Sequence, residues 1–199
     1  SSVLKQHLFI LENMTQDFVH LRMHTEFSIK DGMLNPKKVV HKAIASGMKA
    51  LAITDATAMF GDVIFYKAAS AAGIKPILGA DCSITNHYNR DDYLRLLFLA
   101  RNHQGYLTLC DLLSRAWLTN QYKDRGEVDL DWITPEMADG LIVLSGFNTG
   151  AIGKAILNGS SSAAEQEARR LSQKFPHFFM ELQRVGRPND EMLVAESVK

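Results

Sequence analysis

Ala50-Leu51-Ala52-Ile53-Thr54-Asp55-Ala56 and Ile74-Lys75-Pro76-Ile77-Leu78-Gly79-Ala80-Asp81 decide how this chain folds. Each is a short apolar run that meets an acidic residue, the pattern of a buried strand with chemistry at its end. Between them, residues 59–72 have helical periodicity through Val63, Ile64, Tyr66, Lys67 and Ala71, and Gly73 is placed to end the helix. A strand-helix-strand unit predicts a parallel pair with Asp55 and Asp81 at neighbouring strand ends. An earlier run, Val19-His20-Leu21-Arg22-Met23-His24-Thr25-Glu26-Phe27-Ser28-Ile29-Lys30-Asp31-Gly32, reads the same way and carries Arg22, His24 and Asp31 to the same edge.

Outward from this unit, Asn35-Pro36 opens a helix by capping and a first-turn proline, and Gly47 closes it. Tyr93 to Ala100 is an apolar strand interrupted by Arg95, and Gly105 to Asn120 is a helix. Gln121 to Asp131 reads as a polar surface excursion. Thr134-Pro135-Glu136 opens a short helical turn, Gly140 to Ser145 is a strand, and residues 150–157 and 161–174 are helices. Phe178 to Gln183 is the last strand, and a helix starts after Gly186-Arg187-Pro188-Asn189. Strands and helices alternate, which predicts a parallel β/α architecture.

The 199 residues, 46% hydrophobic, fit one domain with a sizeable core. Lys plus Arg equals Asp plus Glu at 22 each, so no global field exists to hold a phosphate backbone, and direct nucleic-acid binding is not expected. Cys82 and Cys110 have neither ligand spacing nor a disulfide framework. No apolar run reaches the ~20 residues of a membrane span, and the chain is expected to be cytoplasmic. Residues 1–17 are set aside as an extension without chemistry.

The clusters at 22–24 and 55–56 resemble the first two motifs of the PHP (polymerase and histidinol phosphatase) superfamily, whose metal-binding form has His-x-His and then Asp-His. Five collinear blocks are more specific: Phe18 to Arg22, Gly47 to Asp55, Gly73 to Asp81, Leu99 to Tyr106, and Phe179 to Pro188. Together they are similar to the amino-terminal PHP domain of the α subunits of bacterial DNA polymerase III. The resemblance implies a distorted, TIM-barrel-like (β/α) barrel over residues 18–199, incomplete at its carboxyl end, as a truncated part of a longer polymerase subunit.

Carried over residue by residue, the resemblance implies a vestigial site of Arg22, His24, Asp31, Asp55, Ala56, Asp81, Arg95 and Val185. Asp81 stands where metal-binding members have Glu, and Arg22, Ala56, Arg95 and Val185 stand where they have His. Alanine and valine cannot ligate, and arginine brings a permanent positive charge. His24 is a hydrogen-bonded histidine or a residual ligand, and Arg22 and Arg95 pair with Asp55 and Asp81. A later Asp-x-His motif would lie beyond Lys199.

The implied function is a non-catalytic module of a replicative DNA-directed DNA polymerase, structural and docking, with no cofactor of its own and magnesium in the parent polymerase domain. Its implied partners are the remainder of the α subunit and the proofreading exonuclease subunit. The alternative is an active metal-dependent phosphoesterase or 3′–5′ exonuclease; a free-standing histidinol-phosphatase relative is disfavoured by the blocks at 73–81 and 100–106.

Overall fold

A computed structural model describes residues 18–28 and 32–198. The first helix, α1 (Pro36–Ala45), is capped by Asn35, whose side chain accepts from the backbone N–H of Lys37 and Lys38. The strand-helix-strand unit follows as β1 (Ala50–Ala56), α2 (Asp62–Ala71) and β2 (Lys75–Ile84). Seven register pairs run parallel from Ala50 opposite Lys75 to Ala56 opposite Asp81. Strand β2 extends to Ile84, so Asp81 lies inside the strand and not at its end.

Two expectations fail here. Strand β3 (Leu94–Ala100) returns from β2 with no helix between them and pairs antiparallel to it. Tyr88-Asn89-Arg90-Asp91-Asp92, a polar turn sequence, permits this, because antiparallel neighbours need only a short connection whereas parallel ones need a crossover. Helix α3 (His103–Thr119), capped by Asn102, leads to a small hairpin, β4 (Gln121–Tyr122) and β5 (Arg125–Gly126), then to α4 (Pro135–Asp139) and β6 (Leu141–Leu144). Strand β6 is antiparallel to β3 and parallel to β7 (Phe178–Phe179), with α5 (Ala151–Leu157) and α6 (Ser161–Lys174) between β6 and β7. Helix α7 (Asp190–Ser197) follows. The sheet is therefore mixed, in the order β1-β2-β3-β6-β7. The second failure is 121–131: Glu127 there is fully buried, held by Arg90 and Arg125.

Alternation sorts the side chains onto two faces. On one, Leu51 and Ile53 pack against α1 and α2, while Ala80, Cys82, Ile84, Leu96, Phe98, Leu141 and Val143 pack into the main core with α3 and α6. On the other, Ala52, Leu97, Leu99 and Leu144 form a smaller cluster with Leu21, Ile77 and Ile142. Gly79 keeps this inner face close: a Cβ there would sit 2.3 Å from the Phe98 carbonyl oxygen of the neighbouring strand.

Residues 18–24 run beside β1 without regular strand structure. Ala52 N–H donates to the His20 carbonyl at 3.0 Å and Thr54 N–H to that of Met23 at 2.9 Å. From His20 to Met23 is one step more than from Ala52 to Thr54, a bulge-like mismatch that turns Leu21 and Arg22 together toward the inner face. The sheet also curls. Its five strands would hold their outer edges ~19 Å apart if flat, yet Arg22 beside β1 is hydrogen-bonded to Glu181 just past β7. Among the described residues no backbone pairing joins those edges, so the curled sheet is not a closed barrel.

Candidate functional site

The curled inner face gathers four charged side chains and a histidine above its apolar cluster. Asp81 and Arg95 reach it from β2 and β3, Arg22 and His24 from the segment beside β1, and Glu181 from the residues after β7. Arg22 and His24, two residues apart, share a face as strand-like neighbours do.

Arg22 holds the centre. Its Nε donates to Glu181 Oε1 at 2.6 Å and its second terminal nitrogen to Oε2 at 2.9 Å, a two-pronged pair. The remaining terminal nitrogen donates to Asp81 Oδ2. His24 Nε2 lies 3.0 Å from the same oxygen, and a guanidinium nitrogen of Arg95 lies 3.5 Å from it. Asp81 is wholly buried, so it is the least solvated charge of the group. Its Oδ1 and the Nε of Arg95 are buried without hydrogen-bond partners among the described residues. Glu181 is fixed through its own backbone N–H, which donates to Ser145 Oγ at 2.9 Å, and by Gln183, which donates to Oε1 at 2.7 Å.

Burial works against a lone guanidinium, but the Glu181 hydrogen bond and the Asp81 charge outweigh it and push the Arg22 pKa above its ordinary value. Burial likewise would raise the Asp81 carboxyl; the His24 hydrogen bond and the Arg22 and Arg95 charges hold it below the usual carboxylate range. The group is thus an ion-pair network whose carboxylates already face cations.

Of the other residues expected at this site, Asp55 and Val185 do not join it. Asp55 is paired in register with Ala80 and leaves the sheet on the opposite face from Asp81, so it meets neither arginine. There it accepts from Thr25 N–H at 2.6 Å, Thr25 Oγ1 at 2.7 Å and Ser28 Oγ at 2.7 Å, and so ties the first motif to the end of β1. Ala56, opposite Asp81, presents only a methyl group to the inner face. Val185 is exposed. Asp31 lies outside the described residues.

Glu181 is the functional residue that sequence reasoning misses. Its signal is the one that picks out Asp81: an acid ending an apolar run, Phe178-Phe179-Met180-Glu181. A separate set, His87, Asp129 and Asp131, brings ligand atoms within 4.8 Å of one another at the surface. Asp129 there is engaged in capping a short 3₁₀ turn through Asp131 N–H.

Comparison with known proteins places these features in a family. The sequence model of the PHP domain matches residues 20–185. The DNA polymerase III α subunit of Pseudomonas aeruginosa is 43% identical over 179 residues, 89% of this chain and 15% of that protein. That of Escherichia coli K12 is 40% identical over 183 residues, and that of Neisseria meningitidis serogroup B 44% over 188; each match covers 92% of this chain and 16% of the relative. The chain thus spans about one sixth of the length of the curated relatives it matches. Among solved structures, an amidohydrolase from Chromobacterium violaceum aligns at 23% identity with a TM-score of 0.40, over 49% of this chain and 32% of its own. Among the described residues no helix is long and apolar enough to cross a membrane.

Proposed function

The chain belongs to the PHP domain family, and we propose that it is the PHP module of the α subunit of a bacterial replicative DNA polymerase III, with an ion-pair network standing where catalytic relatives hold metal ions. The observation that carries this reading is Arg22, whose guanidinium spans Glu181 and Asp81. A metal cluster needs several neutral histidines and free carboxylate oxygens arranged around a cation. Here the inward acids are neutralised by arginine, and the position beside Asp81 on β1 is Ala56. The residues present do not fit a divalent cluster, so no hydrolytic step runs through this site.

On this reading residues 18–199 are one PHP domain, and the curled five-stranded sheet is part of a barrel whose remaining wall comes from further chain. The parent protein is a cytoplasmic DNA-directed DNA polymerase that uses magnesium in another domain. The module serves two needs: a framework joined to the rest of the α subunit, and a docking surface for the proofreading exonuclease subunit. Exposed Leu107 and Leu118 on α3 are apolar anchors of the kind such a surface uses.

Metal analysis of purified protein, with assays on phosphate esters and single-stranded DNA, tests the silent site. Less than one ion per chain and no turnover are expected; two or more bound ions with hydrolysis would instead establish an active phosphoesterase or exonuclease. Docking is tested by titrating the chain with the carboxyl-terminal segment of the cognate exonuclease subunit. Saturation at one segment per chain is expected, and no binding at roughly 100 μM, weaker than about 5.5 kcal/mol, removes the docking role.

A further inference from the structure

Residues 33–79, which hold α1, β1, α2 and the start of β2, carry no exposed acid. Their six lysines, Lys37, Lys38, Lys42, Lys49, Lys67 and Lys75, are all exposed, and their two acids, Asp55 and Asp62, are buried. Asp55 is engaged by Thr25 and Ser28. Burial and the Asp55 charge push the Asp62 pKa up to about 8, so this second acid adds little negative charge at neutral pH. Lys37, Lys38, Lys42, Lys67 and Lys75 form no ion pair among the described residues. In a chain of zero net charge this is a segregated positive field, felt by a partner within the Debye length of roughly 8 Å.

These lysines flank a groove of about 820 Å³ between α1 and α2. Ile44 of α1 and Ile64 and Ala68 of α2 line its floor, and the two isoleucines are 45% and 41% exposed. Lys37 and His41 stand on the α1 wall and Lys67 on the α2 wall. The carboxylate in the lining, Glu26, sits at the end beside Asn35, from whose Nδ2 it accepts at 2.9 Å. Helix α1 has 10 residues, so the groove offers about 15 Å, nearly three helical turns. An apolar trough between cationic walls is complementary to a helix with one apolar and one acidic face.

We propose that the α1–α2 groove docks an acidic amphipathic helix of a partner protein, its apolar face seated on Ile44, Ile64 and Ala68 and its carboxylates paired with Lys37 and Lys67. Two observations favour this occupant over a nucleic acid. The floor is apolar, and a phosphate backbone has no apolar face with which to cover it. The cations are all lysines, point charges that suit dispersed carboxylates, and residues 33–79 contain no arginine to fork onto a phosphate. The small side chain of Ala68 lets a third helix approach α2 closely. This surface lies on the helix side of the sheet, away from Arg22 and Asp81, and neither Leu107 nor Leu118 of α3 lines it. The inference therefore stands whether or not the inner-face site is silent and whether or not α3 docks the exonuclease.

The test is an NMR titration of the 199-residue chain with a peptide of about 14 residues, leucine at helical i, i+3, i+4 and i+7 spacing and glutamate elsewhere. The comparison probes are the same peptide with lysine for glutamate, a peptide of the same composition in scrambled order, and oligothymidylate. Saturable shifts of the Ile44, Ile64 and Ala68 backbone amides are expected with the acidic peptide, with binding about tenfold weaker for the lysine peptide and at least about threefold weaker for the scrambled one. The double variant Lys37→Glu, Lys67→Glu and the single variant Ile64→Ser, all at exposed positions, should each weaken the acidic peptide about fivefold, the first through charge and the second through the floor. No saturation at roughly 1 mM peptide, equal affinity of the scrambled peptide, shifts confined to residues outside α1 and α2, unchanged affinity in either variant, or tighter binding of oligothymidylate overturns the proposal.

Discussion

Asp55 and Asp81 lie on adjacent parallel strands one register position apart, and their side chains leave the sheet on opposite faces. Asp55 ties down the first motif through Thr25 and Ser28, whereas Asp81 anchors Arg22, His24 and Arg95. Two acids that look equivalent at the end of apolar runs therefore belong to separate networks with no shared partner among the described residues.

Energetic independence follows. Asp55→Asn and Arg22→Met should each lower unfolding free energy by about 3 kcal/mol, the first through hydrogen bonds to a charged acceptor and the second through stranded buried acids. Urea denaturation of the double variant should give the sum of the single effects within about 0.5 kcal/mol. Asp81→Asn combined with Arg22→Met should depart from additivity by more than about 1 kcal/mol.

Acid should release the Asp81 contribution. Its folded pKa is depressed below the unfolded value of about 3.9, so the native state binds its proton less readily than the unfolded chain. The stabilisation is complete above that value and fades as pH falls through the folded pKa. The gap in Tm between wild type and Asp81→Asn should be constant from pH 5 to 7 and narrow below pH 4; a gap unchanged down to pH 3 would refute the depressed carboxyl.

Asp62 should act in the opposite sense. With a folded pKa near 8 against about 3.9 unfolded, the unfolded state binds fewer protons across that interval, so stability falls as pH rises from about 4 to 8. In Asp62→Asn this slope should flatten, leaving the variant more stable than wild type at pH 8 and above. Urea unfolding at pH 5, 6.5 and 8 measures it.

Introducing ligands on the inner face should create a metal site. Ala56→His would place an imidazole beside Asp81 on the inner face, and Arg22→His and Arg95→His would free both carboxylates. The combined variant Arg22→His, Ala56→His, Arg95→His should bind zinc at about one ion per chain by mass spectrometry of the dialysed protein. A folded variant that binds no more zinc than wild type would show that the inner face is too distorted to be a ligand cradle.

Local signals in the sequence are legible, and non-local ones are not. Asn35 and Thr134 cap their helices as expected because a cap needs only its own next three residues, whereas α3 starts at His103 behind Asn102, earlier than the expected Gly105. The β1-α2-β2 unit is legible for the same reason, whereas the meeting of Arg22 with Asp81 joins residues 59 positions apart and has no local signal of its own. The side on which Asp55 emerges depends on strand register, which apolar runs do not report. The antiparallel return of β3 is hidden because a continuous apolar strand looks alike in either direction. Glu127 passes for a surface residue because its cover, Arg90 and Arg125, comes partly from 37 residues away.

The pairing of Arg22 with Glu181 also sets an order of events during synthesis. These residues are 159 positions apart, whereas β2 and β3 join through a short turn. Closing the longer loop costs more chain entropy and needs nearly the whole described chain to be available. The β2–β3 hairpin and α3 can assemble on a growing chain, but the clasp across the curled sheet must wait until Glu181 has cleared the ribosome. Until then Arg22 can reach Asp81 but not Glu181, and before the strand that carries Leu144 has emerged the inner face around Leu97 and Leu99 is incomplete, an interval in which the nascent chain is open to aggregation or chaperone capture.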